Sequence, residues 1–109
     1  MPDSPDPPLR VGHESTDDSL VISLVGELDH RSAPLLDSYV RELRPLDRPV
    51  ILDVAGIGFV DSAGLRALLA TRRAAIEDVD ETVRIVGCRT NLRQLLQVTG
   101  LSGVLPTEG

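Results

Sequence analysis

The stretch PVILDVAG, residues 49–56, is apolar at almost every position. A run of that length and composition, bounded by turn residues, predicts a strand buried on both faces at the centre of a sheet. The rest of the chain must then supply strands for its edges and helices to cover it.

The segments before it fit that demand. LRVGHE (9–14) and LVISLVGEL (20–28) read as strands, the second dense in apolar and β-branched residues, with STDDS between them as turn chemistry. Together they predict an antiparallel hairpin. From Ser32 the period changes, with Ala33, Leu36, Val40 and Leu43 at i, i+3, i+7 and i+10, Pro34 in the first turn and Pro45 as a stop. That is an amphipathic helix.

After the central run a second helix is predicted from Ser62, with Leu65, Leu68, Leu69, Ile76 and Val79 on one face and Arg66, Arg72, Arg73 and Glu77 largely elsewhere. TVRIVG (82–87) follows as a strand. Thr90 or Asn91 can cap a third helix with a stripe of Leu92, Leu95, Leu96 and Thr99, ended by Gly100. LSGVL (101–105) predicts a last edge strand. The order implies an α/β fold, a small mixed sheet of four to five strands flanked by helices, with right-handed crossovers and a single domain over 9–105. The Pro- and Asp-rich residues 1–8 are expected to be a disordered lead-in and 106–109 a tail.

Composition narrows the function. The aromatic share is 2%, so the core is expected to consist of Leu, Val, Ile and Ala, with Phe59 and Tyr39 the only ring-bearing exceptions. The formal net charge is -6 and every basic residue is Arg. Affinity for nucleic acid comes largely from neutralising phosphates, so a direct nucleic-acid partner is not expected. One cysteine, Cys88, excludes an internal disulfide and reads as a small apolar residue at a strand end. The N-terminus lacks the basic-then-apolar pattern of a signal peptide, and no apolar run approaches the ~18 residues of a membrane span. A cytoplasmic protein with no membrane partner is expected.

Ser62, at a strand-to-helix turn, invites comparison with a hydrolase nucleophile. The comparison fails, because that elbow needs glycine two residues to either side and this chain has Val60 and Gly64. The only imidazoles, His13 and His30, lie far upstream. Gly56, Gly58 and Gly64 do not have phosphate-loop spacing, there is no lysine to reach a phosphate, and they read as a tight loop. Asp29, His30 and Asp61 do not form a metal-ligand pattern. No enzyme activity, metal or cofactor is therefore expected.

Two readings of Ser62 remain. As a helix N-cap it would contribute roughly 0.5–2 kcal/mol through a bond from an amide near Gly64 or Leu65. As an exposed hydroxyl at a helix start it would also accept phosphate. Gly64 in the first helical turn costs helix propensity and implies a close approach to the backbone there. A phosphate adds about -1.5 to -2 charges, which the helix N-terminus favours and Asp61, Asp29 and the acidic chain oppose. A partner fitted around a neutral Ser62 would be repelled.

The segments GELDHRSAP (26–34), GIGFVDSAGLRALL (56–69) and TNLRQLLQVTGL (90–101) resemble, in order and spacing, the signature stretches of the STAS domain, specifically the stand-alone anti-sigma factor antagonists. The resemblance implies a small mixed sheet flanked by helices. It implies that Ser62 is phosphorylated by an anti-sigma factor that is a serine kinase with a histidine-kinase-like ATP fold. The unphosphorylated protein would bind that kinase and free a sigma factor, phosphorylation would release it, and a metal-dependent serine phosphatase would reset the cycle. Glu27, Asp29, His30 and Arg31, with Asp61, Ala63, Gly64, Leu65 and Arg66, would form the docking surface, Asp29 and Arg31 as its polar anchors. Their alternative is a solvated loop before a capped helix. Ala63 stands where many relatives carry Ser or Thr, which leaves Ser62 as the sole hydroxyl of its loop. The other use of the fold is as a subunit of a stress-signalling scaffold or of a membrane lipid transporter; an antagonist is expected to be a monomer or small homo-oligomer.

Overall fold

A computed structural model describes residues 7–108, so most of the expected lead-in lies outside the described residues. The chain forms β1 (Leu9–Ser15), β2 (Leu20–Leu28), α1 (Ala33–Leu43), β3 (Val50–Val60), α2 (Ser62–Val79), β4 (Arg84–Val86), α3 (Thr90–Thr99) and β5 (Thr107–Glu108). The strands make one mixed sheet in the order β1-β2-β3-β4-β5. Only β1 and β2 are antiparallel; β2 to β5 run parallel, each joined to the next through a helix. This is the expected α/β architecture.

The hairpin forms because Thr16 closes the turn: its hydroxyl accepts from the Ser19 amide at 3.0 Å, and its own amide donates to the Ser19 carbonyl at 2.8 Å. β3 differs from expectation in two ways. It runs through Gly56 and Gly58 to Val60, so those glycines lie in a strand and not in a tight loop. It is also covered on one face only, with Val50, Leu52 and Val54 buried and Ile51 and Asp53 part exposed. The strand order gives the reason. Successive parallel neighbours connected with the usual right hand place all three helices on the same face.

The core lies between that face and the helices: Ile22, Leu24, Leu52, Ile85, Leu36, Leu68 and Leu96 are each at most 1% exposed. On α2 the buried stripe is Leu65, Leu68, Thr71 and Ala75, flanked by Ala67 and Ala74. Ile76, expected on this stripe, is instead 36% exposed. The small residues Ala67, Thr71 and Ala74 face inward because α2 packs against α1 as well as over β2 and β3. Arg44 at the end of α1 fixes that contact, donating to Asp78 at 2.8 and 2.9 Å and to Glu77 at 3.0 Å.

Three further expectations change. Phe59 is 45% exposed, and Tyr39 sits at the surface edge, its hydroxyl bonded to His13 Nδ1 at 2.5 Å, so neither ring is in the core. Residues 101–105 form turns instead of a strand, and the edge strand is Thr107–Glu108, within the expected tail. The chain must first descend from Gly100, in the left-handed region at φ 76°, and bury Leu105 before it reaches β4.

Candidate functional site

The site lies where β2 and β3 end side by side. Ligands of open parallel sheets characteristically bind beyond the carboxyl ends of the strands. Here two loops meet: residues 29–32 from β2 to α1, and Asp61 from β3 to α2.

Asp61, not Ser62, is the N-cap of α2. Its backbone is extended, and its Oδ1 accepts from the Gly64 amide at 2.9 Å. Its Oδ2 accepts from the His30 amide at 3.1 Å and stands 3.7 Å from His30 Nδ1. One carboxylate thus caps the helix and ties it to the neighbouring loop. The bond from Gly64 is the main reason its pKa lies below the usual carboxylate value, helped by the His30 and Ala63 amides.

Ser62 is the first residue of the helix, and its side chain is exposed. Because Asp61 does the capping, the Ser62 hydroxyl has no hydrogen bond among the described residues. Gly64 explains the cost noted from the sequence. A Cβ there would overlap the carbonyl oxygen of Leu28, the last residue of β2. The close approach is made by the protein's own backbone.

The β2–α1 loop is tightly organised. Ser32, fully buried, accepts from the Asp29 amide at 2.9 Å and donates to the Glu27 carbonyl at 2.7 Å. Asp29 is 7% exposed; its carboxylate accepts from the Arg31 amide at 2.9 Å and from the Arg31 guanidinium at 2.8 and 3.1 Å. That guanidinium holds the Asp29 pKa down at about 2. Arg31 also donates to Glu27 at 2.9 Å. Asp29 therefore shapes the loop and aims Arg31, while Arg31, Glu27 and His30 face solvent.

The sequence-predicted residues divide accordingly. Glu27, His30, Arg31, Ser62 and Arg66 are exposed on one rim, and Asp61 and Ala63 are part exposed. Gly64 and Leu65 are turned inward, Leu65 at 5% exposure, so they support the rim from below. Three residues have a part in the site that was not expected from the sequence. Phe59, paired in register with Glu27, exposes an aromatic ring two residues before Asp61. Ser32 organises the first loop. Asn91, expected as a cap of α3, instead accepts from the Val60 amide through Oδ1 at 2.7 Å, while the N-cap position is Arg89 with no side-chain bond. A lone phenylalanine at a strand end was the only sequence signal among these; the other two depend on contacts within the fold.

Among the described residues no helix is long and apolar enough to cross a membrane, and no group of three or more His, Cys, Asp or Glu could hold a metal ion.

A family model described as "Mlab, STAS domain" matches residues 11–106. Among solved structures, the chain is similar to an anti-sigma factor antagonist from Mycobacterium paratuberculosis, with 26% identity, a TM-score of 0.79, and coverage of 95% of this chain and 87% of that one. It also shares the fold of the anti-sigma factor antagonist SpoIIAA in its unphosphorylated form, at 22% identity, a TM-score of 0.72, and coverage of 92% and 89%. The phosphorylated form of the Bacillus cell fate determinant SpoIIAA matches at 22% identity, a TM-score of 0.68, and 92% coverage of each chain. The match over residues 11–106, together with the five-stranded mixed sheet and its three helices, means that the chain belongs to the STAS domain family.

Proposed function

We propose that the chain is an anti-sigma factor antagonist that acts by reversible binding, and that Ser62 is its phosphorylation site. Its partner is an anti-sigma factor that is itself a serine kinase, bound while Ser62 is unmodified, so that a sigma factor is freed. A metal-dependent serine phosphatase restores the binding form. The role of the Mycobacterium paratuberculosis relative supports this reading, since that protein is an anti-sigma factor antagonist and covers almost the whole chain.

The observation that carries the proposal is the division of labour between Asp61 and Ser62. Helix capping is assigned to Asp61, so the exposed Ser62 hydroxyl has no structural task. A phosphate there would sit beside the free amides of a helix start, so the fold tolerates it. It would also stand on a rim that holds Asp61 and Glu27, facing any partner surface matched to a neutral hydroxyl. Burying an unpaired dianion in such an interface is prohibitive, and the partner is released.

The test is a pull-down from native-host extract with wild type, Ser62→Ala and Ser62→Asp as baits, bound proteins and bait phosphate being identified by mass spectrometry. An ATP-binding anti-sigma kinase is expected with wild type and Ser62→Ala and not with Ser62→Asp. Equal recovery of the same transporter or scaffold proteins by all three would overturn the switch and support the assembly role.

A further inference from the structure

The end of β3 is held from both edges, and the second anchor comes from an element distant from the site. On the β2 side, the Asp61 amide donates to the Leu28 carbonyl at 3.2 Å. The Val60 amide points the other way, where β4 would lie. But β4 pairs only with Ile51, Leu52 and Asp53, and the chain then turns away through Gly87, at φ 74°, packed tightly on Ala55. Val60 is left beyond the reach of its neighbouring strand.

Asn91 takes that place. Its Oδ1 accepts from the Val60 amide at 2.7 Å, a bond between residues 31 apart. The space beside it is about 10 Å³ and is walled by Val54, Ile57, Val60 and Leu92, with Arg89 also lining it. Asn91 does not cap its own helix. Without its carboxamide the Val60 amide would be a part-buried donor with no acceptor, and the strand end would have to move to find one. Asp61 follows directly, and its carboxylate sets both the start of α2 and the His30 loop.

We infer that Asn91 is a positioning residue for Ser62: its carboxamide stands in for the missing strand and couples α3 to the phosphate-accepting junction. This rests on the reading of Ser62 as phosphate acceptor. Displacements of about 1 Å in a reacting group can cost up to about a hundredfold in rate, so the loss should appear in the rate of transfer more than in stability.

The experiment follows the initial rate of phosphate incorporation at Ser62 in native-host extract with radiolabelled ATP, Ser62→Ala giving the blank. Four folded proteins are compared: wild type, Asn91→Leu, Asn91→Asp, which keeps an acceptor oxygen, and Leu95→Ala, which thins the packing of α3 and keeps the Asn91 carboxamide. Amide hydrogen exchange is read at Val60 and Asp61, the two bonded amides of the strand end, in the same set. Asn91→Leu is expected to label about tenfold more slowly than wild type and to exchange faster at both amides. Asn91→Asp should recover most of the rate, and Leu95→Ala should label normally. Equal labelling of wild type and Asn91→Leu, or equal losses in Asn91→Leu and Leu95→Ala, would overturn the inference. If no protein is labelled, wild type included, the phosphorylation reading fails. The anchoring role is then decided by exchange alone, and equal exchange at Val60 in Asn91→Leu and Leu95→Ala would overturn it.

Discussion

Replacing Gly64 by alanine sets two effects against each other in one substitution. In an exposed helix interior the change stabilises by about 0.8–1.0 kcal/mol, because alanine loses less conformational freedom than glycine. Here the added Cβ would overlap the Leu28 carbonyl oxygen and lie 2.8 Å from the Leu28 carbonyl carbon and 2.9 Å from its Cγ. That oxygen belongs to the backbone of β2 and also accepts from the Asp61 amide, so it cannot swing aside as a flexible side chain would. Overpacking of this kind costs about 1–3 kcal/mol, and a rigid obstacle puts the cost at the upper end. The net expectation is a destabilisation of about 1–2 kcal/mol. With a urea dependence of roughly 2 kcal/mol/M, the unfolding midpoint should fall by about 0.5–1 M. Gly12→Ala is the control, since nothing lies within 4 Å of a Cβ at that strand position, and its midpoint should hold or rise. A Gly64→Ala midpoint equal to or above that of wild type would refute the reasoning, because it would mean that α2 does not rest on the end of β2.

Two further outcomes follow from the packing and the loop. Leu68→Ala should cost about 2–5 kcal/mol in urea unfolding, and Ile76→Ala less than about 1 kcal/mol, because Leu68 is fully buried and Ile76 is 36% exposed; equal losses would mean that α2 presents a different face. The Asp29 pKa is lowered from 3.8 to about 2 by Arg31, so its ionised form contributes stability in full above the unfolded value, and that contribution is lost as pH falls from about 4 towards 2. Asp29→Asn should therefore flatten part of the acid limb between pH 5 and 2 in a pH series of unfolding midpoints, leaving the share due to Asp78, which Arg44 holds down at about 2 in the same way. An unchanged acid limb would show that the Asp29–Arg31 pair does not persist in solution.

The elements of this fold are legible in the sequence because their signals are local. A change of hydrophobic period at Ser32, prolines at positions 34 and 45, turn chemistry in STDDS and a glycine at position 100 each act within a few residues, and the observed elements largely follow them. The motif around Ser62 was legible for the same reason. The cap expected at Ser62 falls one residue earlier, because Asp61 and Ser62 are adjacent and both residue types cap helices well. Only the extended backbone at Asp61 and its bond to Gly64 assign the task to the carboxylate and leave the hydroxyl unbonded.

Other features have no local signal. The face that α2 buries depends on α1 lying beside it, which favours Ala67, Thr71 and Ala74 over the larger Ile76. The single covered face of β3 depends on strand order, and Phe59 is exposed beside its register partner Glu27. The Val60–Asn91 bond joins residues 31 apart across a gap that exists only because β4 is short. Sequence by itself determined most of the helix and strand segments, the end of β3 and the last edge strand excepted, and which serine stands at the junction, since propensity and period are properties of neighbouring residues. Tertiary structure decided which atoms around that serine are already committed, because hydrogen bonds and close packing are satisfied in space and not along the chain.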